Sequence, residues 1–239
     1  IDFATLISIT KYSKYMYFVL FIAIAVVSYA VQASLQSKFK RYSQIPVNGG
    51  LTGAQVAERM LREHGIYNVQ VTQIDGHLTD HYNPTTHTVN LSRDVYYGSS
   101  VSSAAVAAHE CGHALQHATN YSFLQMRSNL VPAVNFASNL VPWILLGGML
   151  LLNVFPQLLL IGIGLYAITT LFTFVTLPVE IDASRRATYW LERTGITSGS
   201  TQAQAKDALR AAAYTYVVAA LSSLATLIYY ILIYMGRRE

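Results

Sequence analysis

The sequence predicts a mainly α membrane protein: four transmembrane helices with a small α+β segment at one membrane face. Three observations predict it. Charged residues make up 12% of the 239 residues, about half of the roughly 25% usual for soluble domains. The shortage is also local. Residues 128–179 hold no Asp, Glu, Lys, Arg or His, and residues 15–37 and 211–236 carry no charge. Finally, the polar stretch between the first two apolar runs contains all seven histidines, at positions 64 to 117. A bilayer core takes about 20 apolar residues in helix to cross, so the middle run suffices for two crossings and each outer run for one.

The elements follow in order. After a short N-terminal segment (1–14), residues 15–33 read as the first transmembrane helix. It lacks a convincing small-residue cleavage site, and its length favours a retained anchor over a signal peptide. Lys38, Lys40 and Arg41 follow it. A polar segment, 34–127, comes next. Within it PVNGG (46–50) is a breaker-rich linker, and LTGAQVAERMLREHG reads as an amphipathic helix capped by Thr52 and ended by Gly65. NVQVTQI and HTVNLSR alternate as half-buried strands do, and a further short strand is read around Leu78–Tyr82. Serines 99, 100, 102 and 103 offer N-caps to a helix over SSAAVAAHECGHALQHA that runs on toward Arg127. The uncharged stretch divides at Asn153–Gln157 into two spans, 128–152 and 158–177, which so short a joint makes a helical hairpin. Pro178 closes the second arm and opens a new helix ended by Gly195, within a segment 178–213. The fourth span covers 214–235, and 236–239 is a tail.

His109-Glu110-Cys111-Gly112-His113 fits H-E-x-x-H. On a helix, residues i and i+4 share a face, so both imidazoles can reach one tetrahedral Zn²⁺. Glu110 is then placed to take a proton from an attacking water and hand it to a leaving amine. The lone cysteine, Cys111, excludes an intrachain disulfide and any Cys-rich zinc module.

A catalytic zinc takes three protein ligands and one open position. His117 lies on nearly the same face but about 6 Å farther along the helix, a poor reach for the same ion. The long metzincin pattern fails, because positions 116 and 119 are Gln and Thr. The carboxylates downstream are Glu180, Asp182, Glu192 and Asp207. The hairpin returns the chain to the side it left, so Glu180 arrives where His109 and His113 are and is the candidate third ligand. Asp182 and His117 remain the alternatives. Ser184, one turn after Glu180, shares its face and is the candidate to orient a ligand imidazole. Asp182 points elsewhere and fits that role less well. Arg185 and Arg186 read as headgroup or carboxylate partners.

With these residues in view, the chain resembles the YugP-like membrane zinc metallopeptidases over nearly its whole length. LTDHYNPTTHTVNLS (78–92), AAVAAHECGHALQH (104–117), RSNLVP (127–132) and TLPVEIDASRRA (176–187) carry the resemblance. More distantly it is similar to membrane gluzincins such as HtpX and the CAAX prenyl proteases. There the third ligand is the Glu opening an E-x-x-A-D pattern, which Glu180-Ile181-Asp182-Ala183-Ser184 matches except at its last position. The resemblance implies one zinc ion and proteolysis of a protein or peptide substrate, a membrane protein among the candidates. It also implies a substrate strand paired with a sheet edge, for which Val89, Asn90 and Leu91, or Leu78–Tyr82, are the candidates. For the group that steadies the oxyanion, the candidates are His81, Tyr82 and Tyr216.

Two other classes compete. A zinc-binding membrane scaffold without activity predicts damage to the motif, whose His, Glu and His are all present. A transporter or channel expects ionisable groups within its spans, and residues 128–179 have none. Nucleic acid is not an expected partner, since the basic residues cluster beside apolar runs. Those residues also bear on orientation. Lys38, Lys40, Arg41, Arg127, Arg185, Arg186, Lys206 and Arg210 flank the spans on the side of the motif, and Lys11, Lys14, Arg237 and Arg238 on the other, eight against four. The balance puts the motif on the cytoplasmic side of a multi-pass cell-membrane protein.

Overall fold

A computed structural model describes residues 3–236, with side chains from residue 18 onward. Lys11, Lys14, Arg237 and Arg238 of the charge count, and the tail after Gly236, lie outside the residues so described. The described chain is mainly helical: α1 (Phe3–Tyr42), α2 (Gly53–Glu63), α3 (Arg93–Tyr96), α4 (Val101–Ala118), α5 (Ser122–Leu150), α6 (Gln157–Arg193) and α7 (Gly199–Gly236). Three strands, β1 (Gln70–Ile74), β2 (His81–Asn83) and β3 (Thr88–Ser92), form one small sheet. α1, α5, α6 and α7 are each long and apolar enough to cross a membrane. The protein is thus a mainly α membrane protein with a small α+β segment.

The chain divides into two compact units, one formed by residues up to 33, 132–173 and from 217, the other by 34–131 and 174–216. In the first unit α5 and α6 make the expected hairpin. Gly148 lets them cross closely, since a Cβ there would stand 2.6 Å from the Leu159 Cα. Ala137, Val141, Leu145, Leu159 and Ile163 form its core, and Thr170 shares a 2.8 Å hydroxyl hydrogen bond with Ser223 of α7. Large apolar side chains such as Phe18, Val26, Trp143 and Val154 stay exposed, as suits a surface solvated by lipid.

The second unit is built on α4. Its small residues Ala104, Ala105, Ala108 and Cys111 are buried with Val56, Ala57, Met60 and Leu61 of α2 in one core. The Cys111 thiol points to the Ala57 carbonyl at 3.5 Å, and burial raises its pKa well above the ordinary value. α2 begins as its sequence dictates: Thr52 accepts from Gln55 N–H while the Gln55 side chain accepts from Thr52 N–H, a capping box. Trp190, Leu191 and Ile196 close the same core. Lys38 and Tyr42 both reach Asp207, at 2.6 and 2.7 Å, and tie the end of α1 to α7.

Three local expectations change. α4 stops at Ala118 because Asn120 takes a left-handed φ of 52°; α5 then starts anew at Ser122. Pro178 opens no helix of its own: it sits inside the 37-residue α6, where proline removes one backbone hydrogen bond and the rest of the ladder holds. The short strand lies at His81–Asn83, since Leu78 at φ 58° cannot extend.

Candidate metal centre

α4 and α6 supply the site. Their approach depends on Gly112, where a Cβ would meet the Ala183 carbonyl oxygen at 2.7 Å and the Ala183 Cα at 3.0 Å. At that distance His109 and His113, one turn apart on α4, face Glu180 on α6. His109 Nε2 lies 3.2 Å from Glu180 Oε2 and His113 Nε2 lies 3.6 Å from it. The imidazole planes meet at 82° with centroids 4.7 Å apart. One donor atom from each of the three residues falls within 4.8 Å of the others, and all three residues are shielded from solvent. Among the described residues no other group of His, Cys, Asp or Glu converges in this way.

Each imidazole is also gripped from behind. The Ser184 hydroxyl is 3.1 Å from His109 Nδ1. Gln116 Oε1 is 3.1 Å from His113 Nδ1. The Gln116 amide donates in turn to the Val179 carbonyl at 2.7 Å and to Asp182 Oδ2 at 3.0 Å. Asp182 is paired with Arg186 at 2.6 Å and Arg185 at 3.2 Å. Burial works against the charged form of His113, but the adjacent Glu180 carboxylate prevails and raises its pKa. Two imidazole nitrogens, each ring held at its far nitrogen, and a carboxylate form a donor set that suits zinc.

The donor atoms open on a cavity of ≈ 500 Å³ lined by Glu110, His117, Arg127, Tyr216 and the β2 residues His81 and Tyr82, among others. Glu110 accepts the Tyr82 backbone N–H at 3.0 Å, so that edge of β2 is turned toward the site. His117 stands apart from the donor group and shares a 2.8 Å hydrogen bond with the Tyr82 hydroxyl. His81 Nδ1 is 2.8 Å from the Thr79 carbonyl, and its Nε2 is 3.2 Å from the Asn90 amide nitrogen. Tyr216 lines this cavity together with Glu180.

One expectation is corrected. The strand order is β1-β3-β2, so β3 pairs with β1 in parallel and with β2 antiparallel. Val89, Asn90 and Leu91 are therefore an interior strand with no free edge, and all three are buried. The edge beside the site belongs to β2. Sequence reasoning also passed over Gln116, which the failed metzincin pattern had set aside. It did not single out Arg127 as a group of the site.

Comparison with known proteins agrees with this geometry. The family described as "Putative neutral zinc metallopeptidase" matches residues 17–235. The chain belongs to that family. This neutral zinc metallopeptidase is also 42% identical over 226 residues, 94% of its length and 99% of the relative's, to the "Putative membrane protease YugP" of Bacillus subtilis (strain 168). No solved structure matches it. Membership makes the chain a zinc-dependent peptidase of the membrane, acting on a protein or peptide, and the buried His109, His113 and Glu180 are a group able to hold the metal.

Proposed function

We propose that this neutral zinc metallopeptidase is a membrane-embedded endopeptidase in which His109, His113 and Glu180 hold one zinc ion and Glu110 handles the protons. The observation that carries the reading is the convergence of three donor atoms within 4.8 Å beside a cavity that Glu110 also lines. Zinc held there supplies Lewis acidity toward the scissile carbonyl and toward water.

The chain's own residues do the rest. Ser184 and Gln116 keep the two imidazoles in orientation from their far nitrogens. The free edge of β2 takes the substrate main chain as an added strand. A substrate carbonyl on that edge replaces Glu110 as the acceptor of Tyr82 N–H, and Glu110 turns to the attacking water. It removes the water proton at its carboxylate and later delivers it to the leaving nitrogen. Tyr216 is the best placed of the three candidates to steady the oxyanion. His81 has both ring nitrogens engaged and the Tyr82 hydroxyl is held by His117, whereas Tyr216 lines the cavity that the donor group opens on. Arg127, lining the same cavity, adds positive charge.

Cleavage within a chain, as against trimming of an end, is supported by two neighbouring hollows that share wall residues with the cavity. Asp80 lines both this cavity and a hollow of ≈ 630 Å³ floored by Phe39, Leu78 and Val95. His117, Leu124 and Ser128 line both it and a third of ≈ 270 Å³ with Asn120, Gln125 and Asn129. Substrate residues on either side of the scissile bond thus find space. The charge balance of the sequence favours a cell-membrane protein with this site on the cytoplasmic side. Purified protein should contain one zinc per chain and cleave casein internally, with activity lost to a chelator and restored by zinc. Release of terminal residues alone would contradict the endopeptidase reading, and zinc-loaded protein without any cleavage would favour an inactive scaffold.

A further inference from the structure

Each ligand imidazole is held through Nδ1, but the two partners differ in kind. A serine hydroxyl such as Ser184, at His109, can donate or accept. Gln116, at His113, cannot choose. Its amide nitrogen is committed to two acceptors, the Val179 carbonyl at 2.7 Å and Asp182 Oδ2 at 3.0 Å. Reversing the amide would set its oxygen against both. The Gln116 oxygen must therefore be the atom that faces His113 Nδ1 at 3.1 Å, and an oxygen acceptor there requires a proton on Nδ1. Gln116 is fully buried and shielded from bulk solvent. Asp182, which holds the amide, is fixed in turn by Arg186 at 2.6 Å.

From this chain of partners we infer that Gln116 is a positioning residue. Held by Asp182 and Val179, it keeps the proton of His113 on Nδ1 and so presents Nε2, the nitrogen facing Glu180, as the metal-binding atom. The same amide bridges α4 to α6, so the tautomer and the spacing of the two ligand-bearing helices are set by one side chain. Glu180 and the Val179 and Asp182 acceptors lie within four residues of α6. A shift of α6 that moved Glu180 away would therefore also release the His113 tautomer. This inference rests on the proposed ligand set and adds a determinant of metal affinity that lies outside it.

The test uses the full-length protein in detergent micelles. Zinc affinity is measured by chelator competition for the wild type, Gln116→Met, Gln116→Glu and Ser184→Ala, and ¹⁵N-histidine spectra are recorded for the wild type with and without zinc. Outer partners of ligand histidines typically contribute roughly 10–100-fold in metal affinity, and Gln116→Met should lose that much. Gln116→Glu keeps an oxygen for Nδ1 but turns its second oxygen on the Val179 carbonyl and Asp182, so it should lose affinity as well. Ser184→Ala should lose less than Gln116→Met. The wild-type spectra should show His113 protonated at Nδ1 in both states, with zinc on Nε2. Wild-type affinity in folded Gln116→Met or in folded Gln116→Glu would overturn the inference. So would an Nδ1 without its proton in the wild type, a result that needs no variant to fold. Zinc binding unchanged in His113→Ala would instead remove the ligand set itself, which the Gln116 variants alone do not address.

Discussion

Gly112 lies against the backbone of Ala183, and a methyl group on Gly112 would stand 2.7 Å from the Ala183 carbonyl oxygen. The glycine between the two motif histidines is thus the contact point of the two helices that carry the metal ligands. Gly112→Ala would gain about 1 kcal/mol in helix propensity. Against this stands an overpacking cost of about 1–3 kcal/mol, and the neighbour is main chain, which cannot rotate away. The clash should win. The variant should melt at a lower temperature and bind zinc more weakly, measured by thermal unfolding and chelator competition; unchanged zinc affinity would mean the close approach does not set the ligand spacing.

The third ligand has its own test. His109→Ala and His113→Ala should each remove most of the zinc, and Glu180→Ala should weaken binding strongly, as read by metal analysis of the purified proteins. Full occupancy in Glu180→Ala would reject Glu180 as a ligand. His117 would not be an easy replacement, since it is exposed and paired with the Tyr82 hydroxyl.

Tyr216→Phe removes one hydroxyl from the cavity wall. Loss of a single oxyanion donor costs about 10²–10³ in kcat, so casein turnover should fall by that order while zinc content and KM change little. A KM effect without a kcat effect would make Tyr216 a substrate contact and leave Arg127 as the candidate.

Orientation is tested by fusions at the C-terminus. If all four candidate helices cross the membrane, the C-terminal end of α7 lies on the side away from the site. Alkaline phosphatase fused there should be active and a fluorescent protein dark. The reverse result would put the site outside the cell and direct the search for substrates to surface or secreted proteins.

Much of this was legible in the residues. Charge-free runs announced the helices of the membrane, the Thr52 N-cap announced α2, and the spacing of His109 and His113 fixed their common face. Glu180 was legible because a hairpin must return. What failed was non-local. Whether Val89–Leu91 sits at an edge depends on which strands flank it, and alternation within one strand carries no sign of its neighbours. Its burial on both faces is the trait of an interior strand. Pro178 read as a helix start because proline is favoured there, yet packing of α6 on both sides of it outweighed one missing hydrogen bond. Gln116 was missed because its role depends on Asp182 and Val179, more than sixty residues away in sequence.

The most direct measurement joins catalysis to the metal in a single variant. Glu110→Gln preserves the size of the side chain and its bond from the Tyr82 N–H, while it removes the proton acceptor. General acid–base groups contribute about 10²–10⁴-fold, so peptidase activity should fall at least that far in protein whose zinc content, measured on the same preparation, equals that of the wild type. Wild-type activity in zinc-loaded Glu110→Gln would contradict the account.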